Sequence, residues 1–264
     1  MNRDRLIGLM GSFPPGRIVE CHPSLDSTND RARELLETFG EAADGAVVIA
    51  EKQTRGRGRQ GRFWSLGAGK GLAVSVAVWP RSGSFLECLP LAGALAVLRA
   101  LAATGVDSRL KWPNDVVVHD AKLAGVLVES RFSGDSPRGC VVGIGVNLNE
   151  DREDFPADLN RKASSVRLMT GREVDRERFA ALLVRELDPL VQLALADSAR
   201  LAEHCRPLWC HEPNEPLKVV LDGATLEGRF AGIGPGGELL LAGPGGLREI
   251  HYGDVVRLKR GERK

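Results

Sequence analysis

The spacing of apolar residues changes several times along the chain, and each change predicts a different element. In residues 27–39 apolar side chains recur at helical spacing after a serine and a threonine that can cap a helix, and Gly40 ends the segment. Residues 85–103 are almost wholly apolar and too long for one strand, which predicts a buried helix. Residues 175–204 repeat phenylalanine and leucine at helical spacing and predict an amphipathic helix that Pro189 can bend.

Runs of β-branched residues between these helices predict strands. A valine- and isoleucine-rich run covers residues 45–51, and residues 72–79 alternate so that the larger apolar side chains share one face. Two further strands, at 116–118 and 123–129, are joined by a hairpin turn, and a third at 140–149 contains two glycines that indicate a bulge or close backbone approach. Helices mixed with hairpins favour an α+β fold over a doubly wound βαβ series.

The composition changes near residue 212, where a Pro-rich segment is followed by short strands and glycine-rich turns. The predicted strands are 217–221, 225–233, 238–242, 248–252 and 255–259. Strands this short with such turns predict a small all-β barrel of about fifty residues. We therefore expect a catalytic domain over residues 1–212 and a C-terminal domain over residues 213–264.

Composition restricts the class of protein. The chain has 264 residues, 43% hydrophobic and 27% charged, with a formal net charge of +1, so nothing drives it as a whole toward DNA or a membrane surface. The longest apolar stretches, such as 89–98, are too short to span a bilayer. The odd number of cysteines, five, fits a reducing cytoplasm, which we predict as the location.

Four possible zinc ligands lie within eight residues: His204, Cys205, Cys210 and His211. Structural zinc sites usually draw ligand pairs from two separated segments, and the sequence offers no second pair. We therefore favour the end of a helix and a linker over a metal site.

The most unusual segment is residues 55–62, which we call the Gly/Arg loop, because it interleaves four arginines with three glycines. Glycine lets a backbone approach a ligand closely, and guanidinium groups donate to carboxylate and phosphate oxygens. Such a loop is suited to hold two anions together, as the activation of a carboxylic acid by ATP requires. Taken alone, an ordinary surface loop or an RNA-contacting patch explains it equally well.

Two further motifs add charge that can serve the same chemistry. Residues 111–115 present an ammonium, an amide and a carboxylate around the rigid Pro113, so Lys111 can neutralise phosphate and Asp115 can hold Mg²⁺ or accept a proton. Residues 122–129 begin with Lys122 on a strand whose small residues permit close ligand approach. The simpler alternatives are an Asx-type turn with incidental charges and an ordinary surface lysine.

Taken in order, these segments resemble the biotin–protein ligase family, the biotin–[acetyl-CoA-carboxylase] ligases. The matching segments are 27–29, 56–62, 111–115, 122–129 and 143–147. Agreement in the family's order over roughly half the chain makes chance similarity remote. The resemblance implies a mixed β-sheet catalytic domain flanked by helices, like that of class II aminoacyl-tRNA synthetases, and a C-terminal SH3-like β-barrel.

The resemblance also implies an activity. ATP and Mg²⁺ would activate biotin to biotinoyl-5′-AMP, and the biotinoyl group would pass to a lysine of a biotin carboxyl carrier protein. The implied catalytic residues are Arg59, Lys111, Asp115 and Lys122, with Asp115 also the metal ligand. The implied biotin-binding residues are Ser27, Thr28, Asn29, Gln53, Gly56, Arg57, Lys122 and Gly125. The implied ATP-binding residues are Arg57, Gly58, Arg59, Arg62, Trp64, Lys111, Asn114 and Asn147.

Alternatives to this assignment remain. A lipoate–protein ligase shares the adenylation chemistry, but the motifs at 56–59 and 111–115 favour biotin. A nucleic-acid-binding module is disfavoured by the near-neutral charge and by the lack of interleaved aromatic residues. The segment before residue 27 is too short for a helix-turn-helix domain, so we expect a ligase without a repressor role. Homodimers are common in the family and are possible here.

Two departures from the family pattern stand out. Arg55 occupies a position where relatives usually have a small residue, and its side chain can simply point to solvent. Residues 69–72 replace the usual Gly-Asn-Leu, which puts loop length and any ligand contact there in doubt. Asp254 and Arg257 lie where the C-terminal domain could contribute to the site, although exposed charges are the favoured interpretation.

Overall fold

A computed structural model describes residues 1–11, 16–64, 67, 69–80, 86–133, 136–159, 162–221 and 223–257. Within these residues the helices are α1 (Arg3–Met10), α2 (Thr28–Phe39), α3 (Leu89–Ala102), α4 (Val166–Thr170), α5 (Arg176–Ala196) and α6 (Ser198–Cys205). The first seven strands are β1 (Val19–His22), β2 (Val47–Ala50), β3 (Leu72–Val78), β4 (Arg109–Lys111), β5 (Asp115–Val118), β6 (Ala121–Ser133) and β7 (Ser136–Val146). The last five are β8 (Pro216–Leu221), β9 (Ala224–Ile233), β10 (Leu239–Gly243), β11 (Gly246–Ile250) and β12 (Asp254–Arg257).

The first seven strands form one mixed sheet in the order β1-β2-β3-β7-β6-β5-β4. The pairing of β1 with β2 is parallel, and the other pairings are antiparallel. The predicted hairpin between β5 and β6 is confirmed, and its turn residues His119 and Asp120 both have positive φ, as a tight two-residue turn requires. The expected mixed sheet flanked by helices is therefore present.

The two faces of this sheet carry side chains of different size. Valines, isoleucines and leucines such as Ile49, Val74 and Ile144 point to one face and form the main core with α1, α3, α5 and α6. On the opposite face Val48, Ala77 and Val141 pack against α2 in a smaller cluster. Helix α2 covers only one end of that second face, which leaves the rest available for a site.

Strand β3 confirms the predicted alternation, since its larger residues share one face, and all seven residues of Leu72–Val78 are buried. The larger residues face the main core, while the intervening Ala73, Ser75 and Ala77 face the α2 side. Because this strand lies in the middle of a sheet that is covered on both faces, its side chains alternate between large and small rather than between apolar and polar.

The prediction of one helix over 175–204 was wrong. The chain forms α5 and α6 with a break at Asp197, whose φ of −152° is not helical. The Asp197 carboxylate accepts a hydrogen bond from the backbone N–H of Arg200 at 3.0 Å and caps α6. Pro189 lies inside α5 and does not end it.

The predicted buried helix, α3, begins at Leu89 after a 3₁₀ turn. Across the described ranges no helix is long and apolar enough to cross a bilayer.

The last five strands form a separate antiparallel sheet in the order β11-β10-β9-β8-β12, close to the predicted strand positions. Its core contains Leu217, Val219, Phe230, Leu239 and Leu241 among others. Among the described residues β11 and β12 are its two edges, so the sheet is not closed as the expected barrel would be.

Trp112, from the motif at 111–115, lies in the core of this second sheet. Its side chain is 2% exposed, and its indole N–H donates to the Gly237 carbonyl at 2.9 Å. The motif therefore joins the two sheets, a role that the sequence did not suggest.

We expect Trp112→Ala to lower the free energy of unfolding by about 3–5 kcal/mol, because it empties a buried aromatic site. Trp112→Phe keeps part of the packing but loses one ring and the hydrogen bond, so its cost should be smaller, about 2 kcal/mol. Urea denaturation followed by far-UV circular dichroism measures both. An alanine variant as stable as the phenylalanine variant would show that this side chain does not anchor the second sheet.

Glu150 lies in the segment that follows β7 and is 2% exposed. Burial raises the pKa of its carboxyl group to about 7, while the backbone amides of Glu150 and Leu148 and the charge of Lys70 limit the rise. A carboxyl group with a raised pKa stays protonated to a higher pH in the folded chain than in the unfolded chain. Its ionisation therefore destabilises the fold as the pH rises from about 4.5 to about 7.

We expect Glu150→Gln to stabilise the protein at pH 8 by up to about 3 kcal/mol and to give no gain at pH 4.5. The neutral amide cannot ionise, so the free energy of unfolding of the variant does not fall between these pH values as that of the wild type does. Thermal unfolding of both proteins across this range measures the difference. An equal difference at every pH would mean that ionisation of Glu150 does not couple to folding.

Candidate active site

Small residues form the floor of the candidate site. On the α2 side of the sheet, at the start of this helix and beyond it, neighbouring strands present Ala73, Ser75, Gly125, Gly143 and Gly145, which the strand registers place side by side. We call these residues the small-residue floor. A Cβ at Gly145 would overlap the indole of Trp64, and one at Gly143 would overlap the amide of Asn29. The two glycines are therefore required for these side chains to lie against the sheet.

Uncharged polar groups gather at one end of this floor. The backbone N–H and the hydroxyl of Thr28 donate to Gln53 Oε1 at 2.8 and 3.0 Å. The Ser75 hydroxyl lies 2.7 Å from Thr28 Oγ1. Ser27, at the N-cap of α2, is buried and makes no side-chain capping bond. The start of α2 thus brings together three of the predicted biotin-binding residues, namely Ser27, Thr28 and Gln53.

Asn29 and Arg57 meet at one carboxylate. Asn29 Nδ2 donates to Glu129 Oε2 at 2.6 Å, and the Arg57 guanidinium lies 3.2 Å from both Glu129 oxygens. Arg57 also donates to the two oxygens of Asp30 at 2.7 and 2.8 Å. Sequence reasoning assigned no role to Asp30, Ser75 or Glu129. A serine in the middle of an otherwise apolar strand was the available signal for Ser75.

A second group of charges lies at the other end of the floor. The Lys122 ammonium lies 2.6 Å from Asp115 Oδ1 and 5.3 Å from the centre of the Trp64 ring. A Cβ at Gly125 would lie 2.9 Å from Lys122 Nζ, so this glycine gives the lysine its space. Ammonium, carboxylate and indole are thus held together by the β5–β6 hairpin and the segment after the Gly/Arg loop.

Arg59 and Arg62 connect the Gly/Arg loop to the second sheet. Arg59 donates to Asn114 Oδ1 and to the Gly253 carbonyl, each at 3.3 Å, and lies 3.8 Å from Asp254 Oδ1. Arg62 forms an ion pair with the same Asp254. Burial lowers the pKa of Arg59 below its ordinary value, and the charges of Asp254 and Asp115 counteract this. The interpretation of Asp254 as an exposed charge was wrong.

The remaining predicted site residues are two amides that bind the backbone, one lysine and two loop glycines. Asn114 Nδ2 donates to the Val126 carbonyl at 2.5 Å, and Asn147 Nδ2 donates to the Ser164 carbonyl at 3.0 Å. These amides brace the backbone around the charges. Lys111 lies half-buried on β4, opposite Asp115 in register, and no hydrogen bond or ion pair to its ammonium occurs within the described ranges. Gly56 and Gly58 lie in the Gly/Arg loop, and a Cβ at Gly56 would overlap the Trp64 carbonyl.

The carboxylates offer limited metal ligation. In the part of the chain that the structure describes, no group of three or more His, Cys, Asp or Glu side chains is placed to hold a metal ion. Mg²⁺ commonly binds through one or two carboxylates together with substrate phosphates, and Asp115, whose Oδ1 contacts Lys122, offers one such carboxylate. Of the cluster considered for zinc, Cys205 lies in the main core, while the His211 ring lies 5.5 Å from Phe230.

The two departures from the family pattern have partners outside the floor. Arg55 is 74% exposed and forms an ion pair with Asp26. Lys70 lies 3.2 Å from Asp151 and 2.5 Å from Asp154. These residues therefore hold surface segments together.

Comparisons with known proteins agree with the motifs. Residues 22–147 match the biotin/lipoate A/B protein ligase family. The biotin–[acetyl-CoA-carboxylase] ligase of Paracoccus denitrificans is 35% identical, over 87% of this chain and 96% of its own length. The enzyme of that name from Mycobacterium tuberculosis is 33% identical, over 97% of this chain and 94% of its own length.

A solved structure shares the fold. The biotin protein ligase from Aquifex aeolicus in complex with biotin and ATP superposes with a TM-score of 0.77 at 27% identity, covering 91% of this chain and 99% of that one. The motifs, the site geometry and these similarities agree, and the chain belongs to the biotin protein ligases of the biotin/lipoate A/B protein ligase family.

Proposed function

We propose that this protein activates biotin with ATP to biotinoyl-5′-AMP and transfers the biotinoyl group to a lysine of a biotin carboxyl carrier protein. One observation carries the proposal: a narrow floor of small residues has uncharged polar groups at one end and Lys122, Asp115 and Arg59 at the other. This arrangement suits an elongated acid with a polar neutral head and a carboxylate tail. The relatives named for biotin ligation support the same substrate.

Biotin would lie along the small-residue floor. Ser27, Thr28 and Gln53 offer hydroxyl and amide groups to its ureido ring. Gly56 lets the loop backbone come close to the same end. Trp64, which lies against Gly145, would cover the adenylate and help to exclude water, because the mixed anhydride hydrolyses readily.

In the first half-reaction, the biotin carboxylate attacks the α-phosphorus of ATP, and the bond to pyrophosphate breaks. Two anions must approach, so the barrier is largely electrostatic. Lys122 and Arg59 supply positive charge, Lys111 lies opposite Asp115 in register, and Asn114 and Asn147 hold the surrounding backbone. Asp115 offers a carboxylate that would hold Mg²⁺ together with the nucleotide, and the ion would neutralise phosphate charge.

In the second half-reaction, the carrier lysine attacks the acyl carbon, AMP leaves, and the attacking amine loses a proton. A free lysine has a pKa near 10.4, so a base must assist. We assign this role to Asp115, whose carboxylate lies 2.6 Å from Lys122 at the charged end of the floor.

We further propose that residues 1–212 form the catalytic domain and residues 213–264 an SH3-like domain. The separate core of the five C-terminal strands supports this division. Asp254 gives the second domain a contact to the Gly/Arg loop through Arg59 and Arg62. A cytoplasmic location remains a prediction from the cysteine count, and a homodimer remains a prediction from the family resemblance.

ATP–pyrophosphate exchange tests the first half-reaction. We expect exchange with biotin and Mg²⁺ and no exchange with lipoate, since the floor and its polar end suit a ureido head. Exchange with lipoate alone would transfer the assignment to lipoate ligation. Absence of exchange with either acid, in folded protein, would reject adenylation as the function.

We expect Asp115→Asn to slow biotin transfer to the carrier by about a hundredfold, because general base assistance contributes effects of this size. Single-turnover transfer from preformed enzyme-bound biotinoyl-5′-AMP isolates this step from adenylation. Asp107→Asn, at a side chain 84% exposed beside Arg109, is the control and should transfer at the wild-type rate. A wild-type transfer rate in Asp115→Asn would remove the assigned base.

A further inference from the structure

Glu129 joins three parts of the candidate site. It lies on β6, accepts a hydrogen bond from Asn29 on α2 at 2.6 Å, and lies 3.2 Å from the guanidinium of Arg57 in the Gly/Arg loop. Asn29 Oδ1 in turn lies 2.6 Å from the Ser75 hydroxyl. One carboxylate thus connects a helix, the sheet and the loop.

The partners of Glu129 are already engaged within the protein. Both terminal nitrogens of Arg57 donate to Asp30, and one also reaches Glu129. The amide of Asn29 has protein partners at both its nitrogen and its oxygen. Although the family motifs place Asn29 and Arg57 in the ligand site, their side chains here hold other parts of the site in position.

The contacts form a continuous hydrogen-bonded path. It starts at Gln53, which accepts from the backbone N–H of Thr28, and continues from the Thr28 hydroxyl to the Ser75 hydroxyl. Ser75 in turn donates to Asn29, and Asn29 and Arg57 both donate to Glu129. A substrate group that binds Thr28 or Gln53 therefore acts on side chains connected to the Gly/Arg loop. Coupling of this kind is reciprocal. If substrate binding stabilises the held position of the loop, the held loop must increase the affinity for the substrate by the same factor.

We propose that Glu129 is a positioning residue that couples binding of the acyl substrate to the placement of the Gly/Arg loop. The inference deepens the proposed function and rests on it for the identity of the acid. Glu129 does not touch the reacting atoms. It acts through Asn29 on the polar end of the floor and through Arg57 on the loop.

The balance of charges around Arg57 explains why the Glu129 carboxylate is needed to hold this guanidinium. Asp30 pairs with Arg33 as well as with Arg57, so two guanidinium groups face two carboxylates. The side chains of Arg57, Asp30 and Glu129 are 35%, 25% and 30% exposed, so water screens them only in part. Neutralising Glu129 leaves Asp30 as the single carboxylate for two guanidinium groups, and the hold on Arg57 weakens.

Limited trypsin digestion tests the loop without any substrate. We expect Glu129→Gln to be cut after Arg57 about tenfold faster than the wild type, because Arg57 loses a charged hydrogen bond. Mass spectrometry identifies the cuts, and thermal unfolding checks that the variant is folded. Glu34→Gln, an exposed position on α2 that pairs with Arg31, is the matched control and should be cut at the wild-type rate.

Exchange kinetics test the coupling. We expect Glu129→Gln to raise the KM for biotin about tenfold and to leave the KM for ATP within about twofold, because Arg59 and Lys122 keep their contacts. Asp30→Asn loosens Arg57 but leaves the contact between Asn29 and Glu129. It should therefore speed digestion with a smaller rise in the KM for biotin.

The outcomes separate this inference from the proposed function. If the wild type shows no exchange with biotin, the function fails, while the digestion still tests whether Glu129 holds the loop. Wild-type digestion and a wild-type KM for biotin in folded Glu129→Gln would overturn the role of Glu129. Should that variant not fold, Asn29→Ala removes the same link from the other side and must speed digestion if the path carries the coupling.

Discussion

The close approach of side chains to one face of the central sheet is the constraint on which the rest of the site depends. Most of a sheet face is normally covered by large apolar residues, yet here the strip beyond α2 carries glycine, alanine and serine. The absence of Cβ atoms at Gly143 and Gly145 lets Asn29 and Trp64 lie on the backbone. The sheet is thereby both a hydrophobic core on one face and a binding surface on the other.

Most cations around this surface have a carboxylate partner, and Lys111 is the exception within the described ranges. Lys122 pairs with Asp115, Arg57 with Asp30 and Glu129, and Arg62 with Asp254. Each carboxylate fixes a flexible cationic side chain before any anion arrives, so less conformational entropy is lost on binding. Arg59 differs, since its nearest contacts are an amide and a carbonyl oxygen, and the carboxylate lies at 3.8 Å. Of these three arginines, Arg59 therefore has the weakest contact with a carboxylate and is the one best able to donate to a phosphate.

The motif at 111–115 contributes both to the charged end of the floor and to the packing of the second sheet. Asp115 and Asn114 face the charged end of the floor, while Trp112 between them and Lys111 packs into the second sheet. From the other side, Asp254 at the start of β12 reaches the Gly/Arg loop. The second sheet is thus attached to the site at two points, one apolar and one ionic, and the position of the loop depends on both.

The sequence by itself determined the parts that depend on neighbouring residues. Helix α2 with its glycine stop, the β5–β6 hairpin and the five C-terminal strands follow from periodicity and turn chemistry, and the ordered motifs identified the family. Only the tertiary structure decided the partners of Arg57 and Arg59, because Arg59 and Asp254 are far apart in the chain and no local pattern relates them. The same holds for the two covered faces of β3 and for the buried Glu150, since burial is set by what packs from elsewhere. The helix break at Asp197 was missed because apolar spacing continued through it, and the capping carboxylate decided the outcome.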